Sequence, residues 1–297
     1  MGKIAFVFSG QGDQYSGMGK DLYDQYSVSK KIYDLCDEIR PGTSAQCFEG
    51  TEDELKETKN TQPCLFAMEL AAASVLMEKE IVPDAVAGFS LGEVVAATVS
   101  DIFDNETGFR LVCKRGELMQ REAEKFDTSM AAVVKLTSEQ VQSVCDKYAD
   151  VYPVNFNCPG QVTVSGLSSQ MADFFADVKA AGGRAIPLKV KGAFHSPFMN
   201  KAANAFAAEL ANAEIKERTV TLYSNMTAEP YTEDVVELLS KQICNPVQWE
   251  KIIRNMIDDG IDTFVEIGPG KTLTNMIKKI STEVKAVSVT EYLSEVE

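Results

Sequence analysis

A chain of 297 residues can bury a large core in one or two domains, and its 45% hydrophobic and 25% charged content is ordinary for a globular protein. A net charge of −15 argues against general affinity for nucleic acid or an anionic membrane, while leaving room for a local basic patch. Seven scattered cysteines without a C-x-x-C pair, and a single histidine, give no zinc pattern, and no apolar run reaches transmembrane length. The expected setting is therefore a reducing cytoplasm, with no metal.

Residues 3–9 read as a buried strand running into the glycine-rich loop Ser9-Gly10-Gln11-Gly12. Thr51-Glu52-Asp53-Glu54 has capping-box spacing and predicts a short helix. A long helix is expected from about Thr61 to Lys79, with Pro63 in its first turn. Residues 85–89 form a short apolar strand, followed at once by a helix over 91–100 and another over 105–124. The rhythm then changes. Strands at 130–135, 151–156, 161–165 and 184–188 alternate with helices at 137–148 and 168–181, the second stopped by Gly182-Gly183. This β-α-β-β-α-β order predicts a small ferredoxin-like subdomain over 126–193. Helices at 197–213, 233–243, 247–259 and 272–280, with strands near 221–223, 263–267 and 285–289, complete the pattern. Strand–helix alternation on both flanks predicts a large α/β-hydrolase-like domain, built from 1–125 and 194–297 around a mostly parallel sheet.

Gly88-Phe89-Ser90-Leu91-Gly92 lies between a strand and a helix, the setting of a nucleophile elbow. A plain glycine turn is the alternative. A serine hydroxyl needs a base to become nucleophilic, and the only imidazole is His195, in Gly192-Ala193-Phe194-His195-Ser196 at the expected seam between the domains. On the 105–124 helix, Arg115 alone among the arginines has apolar neighbours one turn either way, Leu111, Val112, Leu118 and Met119. An inward guanidinium implies a structural ion pair, a snorkelling side chain or a carboxylate ligand. Gly268-Pro269-Gly270-Lys271-Thr272 imitates a phosphate loop, but Val265 stands where a Walker A motif needs glycine, so a structural turn is expected.

Six ordered segments resemble the malonyl-CoA:acyl-carrier-protein transacylase family. They are Phe8-Ser9-Gly10-Gln11-Gly12, Gln62-Pro63, Gly88 to Glu93, Gly192 to Ser196, and the pair Asn245-Pro246-Val247-Gln248-Trp249 and Glu266-Ile267-Gly268-Pro269-Gly270. The resemblance implies Ser90 as nucleophile and His195 as base. It implies the Gln11 and Leu91 amides as oxyanion hole, and the Gln248 main-chain carbonyl as the group orienting the imidazole. Arg115 would grip the malonyl carboxylate, with Gln62 and Phe194 also at the substrate and Phe194 disfavouring branched acyl groups. Phe89 departs from the family, which usually has histidine there; altered packing rather than lost chemistry is expected.

The implied reaction carries a malonyl group from malonyl-CoA to the phosphopantetheine thiol of acyl carrier protein, without a resident cofactor or metal. Carrier proteins are acidic, so a basic patch of Lys189, Lys191, Lys278 and Lys279 is expected at the pocket mouth. The rivals are a thioesterase or editing hydrolase on the same scaffold, against which Arg115 weighs, and a non-catalytic carrier-binding scaffold.

Overall fold

The run Ile4-Ala5-Phe6-Val7-Phe8 has no polar side chain to present to water, and it becomes the middle strand of a sheet covered on both faces. The computed structural model describes residues 2–232 and 234–296. In chain order, β1 (Lys3–Phe8) is followed by α1 (Lys20–Gln25), α2 (Ser27–Ile39), α3 (Thr43–Glu49), α4 (Glu52–Lys56) and the long α5 (Thr58–Glu78). Next come β2 (Ala85–Gly88), α6 (Gly92–Val99) and α7 (Asn105–Ala123). A second group comprises β3 (Thr128–Val134), α8 (Ser138–Cys145), β4 (Val151–Cys158), β5 (Gln161–Leu167), α9 (Ser168–Ala180) and β6 (Arg184–Lys191). The chain ends with α10 (Asn200–Leu210), β7 (Thr221–Tyr223), α11 (Val235–Lys241), α12 (Trp249–Asp258), β8 (Ile261–Ile267), α13 (Thr272–Ile280), β9 (Lys285–Ser288) and α14 (Val289–Val296).

Five strands form an all-parallel sheet in the order β7-β2-β1-β8-β9. Phe8 sits level with Gly88 on one side and Ile267 on the other. The loops leaving β1, β2 and β8 therefore emerge side by side at the carboxyl edge, where open α/β sheets bind ligands. Four strands form a separate antiparallel sheet in the order β4-β5-β3-β6. One face of it packs on α8 and α9 through the cross-strand pairs Ala131–Val164 and Val133–Val162. The opposite face, with Asn155, Thr163 and Leu188, lines a cleft of about 240 Å³ against Gln11, Phe89 and Met276 of the parallel-sheet half. The edge strand β4 is stitched to the segment after α11, since Val247 donates to Val154 O and accepts from the Phe156 amide, both at 2.9 Å.

The expected capping box of Thr51 with Glu54 is formed, and Thr137 with Gln140 forms a second one at the start of α8. α5 begins a turn earlier than expected, at Thr58, which moves Pro63 to its sixth position. Glu57 both ends α4 and accepts the first α5 amides from Asn60 and Thr61, so the helix starts before the proline can shape it. α1, α2, α3 and α14 are elements that the sequence pattern does not predict. The expected helix over 233–243 is observed from Val235 and closes in a three-ten turn at Gln242–Cys244; its first residue, Glu233, lies outside the described residues. No helix among the described residues is long and apolar enough to cross a membrane.

Candidate active site

The elbow is built on two close approaches. A Cβ on Gly88 would overlap the Gly92 carbonyl, and one on Gly92 would come within 2.5 Å of Phe8 O. Only glycine at both positions lets α6 start directly against the end of β1. Between them Ser90 adopts φ 57°, a left-handed conformation that L residues rarely accept and that marks strained functional turns. Asn225, just past β7, clamps the turn: its Nδ2 donates to Gly88 O at 2.5 Å and its Oδ1 accepts the Ser90 amide at 2.8 Å.

His195 brings Nε2 to 2.7 Å from Ser90 Oγ. Its Nδ1 lies 2.8 Å from the main-chain oxygen of Gln242. A carbonyl can only accept, so Nδ1 carries the proton and Nε2 keeps the lone pair that faces the hydroxyl. Burial, with the Arg115 charge second, pushes the imidazole down to about 4, so it is neutral at physiological pH. The main-chain oxygen that faces Nδ1 belongs to Gln242 and not, as expected, to Gln248. Gln248 caps α12 and donates its amide to Asn225 O at 2.9 Å. The pairing of Val247 with β4 draws that stretch towards the antiparallel sheet, while the three-ten turn at Gln242 stays beneath the imidazole, pinned by the His195 amide to Ile243 O at 3.1 Å.

Arg115 points inward as its helical spacing predicts and is completely buried. Nη1 donates to Gln62 Oε1 at 2.8 Å; Nη2 donates to Gln242 Oε1 at 2.7 Å and to Ser90 Oγ at 3.2 Å. Nε has no hydrogen-bond partner among the described residues. Burial lowers the guanidinium to about 10, with Glu93 opposing, so it remains cationic. All three acceptors are uncharged, and among the described residues no carboxylate lies within ion-pairing distance of it. The structural ion pair is thereby set aside. A buried cation beside the Ser90 hydroxyl, held only by neutral oxygens, has the chemistry to receive an anion.

The Leu91 amide heads α6, and the Gln11 amide lies in the loop after β1; neither donates a hydrogen bond among the described residues. The Gln11 side chain reaches Thr58 Oγ1 at 3.4 Å, tying its loop to α5. Gln62 is buried and serves Arg115, its own amide nitrogen lying 3.4 Å from Met119 Sδ. Phe194 is buried with its ring over Gly192. Phe89 is half-buried in the cleft wall, edge-on to Trp249 with centroids 5.5 Å apart, and its ring leaves no room for a side chain at Gly10. Of the expected basic patch, Lys279 lies 3.4 Å from Gln161 on the cleft wall, whereas Lys189 lines a different groove beside Lys56. Lys278 is exposed on α13, and the Lys191 side chain lies outside the described residues.

Four polar residues of the site escaped the sequence reading. Gln242 and Asn225 are described above. Glu93 accepts the Asn225 amide and the Tyr231 hydroxyl on Oε1, both at 2.9 Å, and Gln242 Nε2 on Oε2 at 2.7 Å. The one available signal was an acid opening the apolar run Val94–Val99, which burial makes costly unless the carboxyl is fully paired.

A nucleophile, a neutral base of fixed tautomer, two free amides and a buried cation fit acyl transfer to and from an anionic acyl group. A family profile described as "Acyl transferase domain" matches residues 5–296. The malonyl CoA-acyl carrier protein transacylase of Bacillus subtilis (strain 168) is 38% identical, over 98% of this chain and 94% of its own. The chain belongs to the malonyl CoA-acyl carrier protein transacylase family. Another member, the polyketide biosynthesis transacylase PksC of the same organism, is 37% identical over 96% of this chain and 99% of its own. The crystal structure of the transacylase from Clostridium perfringens superposes with a TM-score of 0.95 at 35% identity, covering 99% of this chain and 97% of that one. A transacylase solved in complex with the acyl carrier protein of a type II polyketide synthase gives 0.94 at 31% identity, covering 99% of each. Within this transacylase family member the α/β architecture, a parallel sheet with a separate antiparallel one, is that of its solved relatives.

Proposed function

We propose that the protein moves a malonyl group from malonyl-CoA to the phosphopantetheine thiol of acyl carrier protein through a malonyl-Ser90 ester. The observation that carries this reading is the buried Arg115, cationic, without an acidic partner at contact distance, and bonded to the nucleophile itself. His195 takes the Ser90 proton as Oγ attacks the thioester carbonyl, the Gln11 and Leu91 amides receive the oxyanion, and the imidazolium returns the proton to the departing CoA sulfur. In the second half-reaction the pantetheine thiol gives its proton to His195 and attacks the ester, and Ser90 recovers a proton as it leaves. Phe194, adjacent to the base, narrows the space for a branched acyl group.

The α/β-hydrolase-like reading of 1–125 with 194–297 is supported by the elbow at the carboxyl edge of a parallel sheet. The ferredoxin-like reading of 126–193 is supported by the strand order β4-β5-β3-β6 with two helices on one face. A cytoplasmic setting, with no resident cofactor or metal, is part of the same proposal. Lys279, beside Gln161 on the cleft wall, is the lysine of that patch best placed to meet an acidic carrier.

Brief exposure to malonyl-, acetyl- and methylmalonyl-CoA, followed by intact mass measurement, tests the proposal. A malonyl adduct that is lost in Ser90→Ala and passes to carrier protein is expected, with little adduct from the other two. An adduct released mainly as free malonate would instead make the protein a hydrolase.

A further inference from the structure

Arg115 and Glu93 are opposite charges, both completely buried, that do not touch. Gln242 stands between them, its Oε1 accepting from Arg115 Nη2 and its Nε2 donating to Glu93 Oε2, each at 2.7 Å. The same amide nitrogen also donates to Ser90 O at 2.6 Å. The bridge holds the carboxylate one side chain away from the face of the guanidinium that meets Ser90 Oγ. At rest the ionised form of Glu93 offsets the Arg115 charge, and the site is neutral when that form is present. A carboxylate arriving on Ser90 makes it net negative in a medium where an uncompensated charge is costly.

We propose that Glu93 is the resident counter-charge of Arg115, acting through Gln242, and that a carboxylate-bearing acyl group on Ser90 displaces it from that role, Glu93 then binding a proton from solvent. Glu93 is a positioning residue in this scheme. It keeps the empty receptor cationic and oriented without occupying it, and it stops competing for Arg115 once the acyl group is in place. The inference rests on the reading of Arg115 as the malonyl carboxylate's partner.

The titratable groups around Glu93 are Tyr231, which donates to it, Arg115 beyond Gln242, and His195, bonded to Ser90 Oγ. Burial, opposed by its hydrogen bonds and by Arg115, raises the Glu93 carboxyl to about 7. A second carboxylate near Arg115 raises it further, because it neutralises the charge that favoured ionisation. The acylation itself is proton-neutral below the thiol's pKa, since the Ser90 proton leaves on the CoA sulfur. Any proton taken from the medium therefore reports on the site.

The test mixes the full-length protein with malonyl-CoA in weakly buffered indicator dye, without carrier protein, and measures protons taken up per acyl-enzyme counted by intact mass. About half a proton per adduct is expected near pH 7, where roughly half the resting Glu93 is ionised, falling towards zero near pH 5.5. Adduct formed by Glu93→Gln should carry no uptake between pH 6 and 8, above the range in which His195, rising from about 4, takes up a proton. Tyr231→Phe removes a donor to the carboxylate and should move the uptake window to higher pH; if Glu93→Gln does not fold, this shift decides. Adduct without uptake between pH 6 and 8, or uptake in that range that persists in Glu93→Gln, overturns the inference while leaving the malonyl reading intact. The absence of any malonyl adduct rejects both.

Discussion

An imidazole pushed to about 4 is available as a base over a wide pH range, but it is a weak one. Part of that depression is the Arg115 charge, and the proposed substrate carries the carboxylate that cancels it. The imidazole of the malonyl-enzyme should therefore be more basic than that of the free enzyme, strengthening the base for the thiol attack that follows. Linkage fixes the sign: removing a nearby positive charge raises a histidine pKa, so the acid limb of the pH–rate profile moves to higher pH. Arg115→Met should shift the limb upward for acetyl loading, and should lower malonyl kcat/KM by roughly 100- to 1,000-fold through loss of a desolvated charge pair. Arg115→Lys keeps the charge but not the fork, so the limb should stay low while kcat/KM still falls roughly tenfold or more. A limb that stays put in Arg115→Met would mean that burial alone depresses the imidazole. Phe89 sits outside this circuit, against Trp249 and Gly10, which fits altered packing with the dyad intact.

At the scale of elements, the site is an arrangement of strand ends. β1, β2 and β7 supply the Gln11 loop, the Ser90 elbow and Asn225, and the Asn225 side chain locks β7's loop to the elbow through two hydrogen bonds. Asn225→Ala should leave the fold in place but free Ser90 to rotate from His195, lowering kcat roughly 10- to 100-fold with KM little changed. A rise confined to KM would assign Asn225 to binding instead. Gly92→Ala should be worse, because its Cβ meets the Phe8 carbonyl and forces α6 off β1; a loss of about 2–3 kcal/mol in denaturant melts is expected. These two cases also show what a sequence can disclose. Gly88 and Gly92 are legible because a close backbone approach admits only glycine, and the Thr51 and Thr137 caps are legible because the box is local. Arg115 was legible from its neighbours on one helix face. The Gln242 carbonyl was not, since every residue has one and only the three-ten turn selects it. α2 was missed because its buried stripe of Ile32, Tyr33 and Cys36 is thin within a charged stretch, and α1 because it follows a left-handed Gly19 with no side-chain cap.

At the scale of the whole molecule, buried titratable groups set how stability responds to pH, and they oppose one another. His195 is depressed on folding, so its contribution is present above about 6.5 and lost as pH falls towards 4. Glu93 and Glu69 are raised on folding, so theirs is present below about 4.5 and lost as pH rises, through about 7 for Glu93. Between these limits the slopes partly cancel; above about 6.5 only the acids act, and stability should decline. Glu69 is the informative one because it lies outside the active site. It is fully buried mid-way along α5, accepts the Ser9 hydroxyl with one oxygen and has no partner for the other among the described residues. Burial raises it well above the carboxylate range, and Glu266 and Asp13 add to the shift while Ser9 opposes it. Glutamine reproduces the protonated carboxyl without its titration. Glu69→Gln should therefore match the parent near pH 5 and exceed it at pH 8. The gap should grow by roughly 1.4 kcal/mol per pH unit while the native carboxyl stays protonated, a few degrees in Tm per unit. Superimposable melting curves from pH 5 to 8 would show that Glu69 ionises inside the fold, and that the loop carrying Gln11 rests on a buried carboxylate.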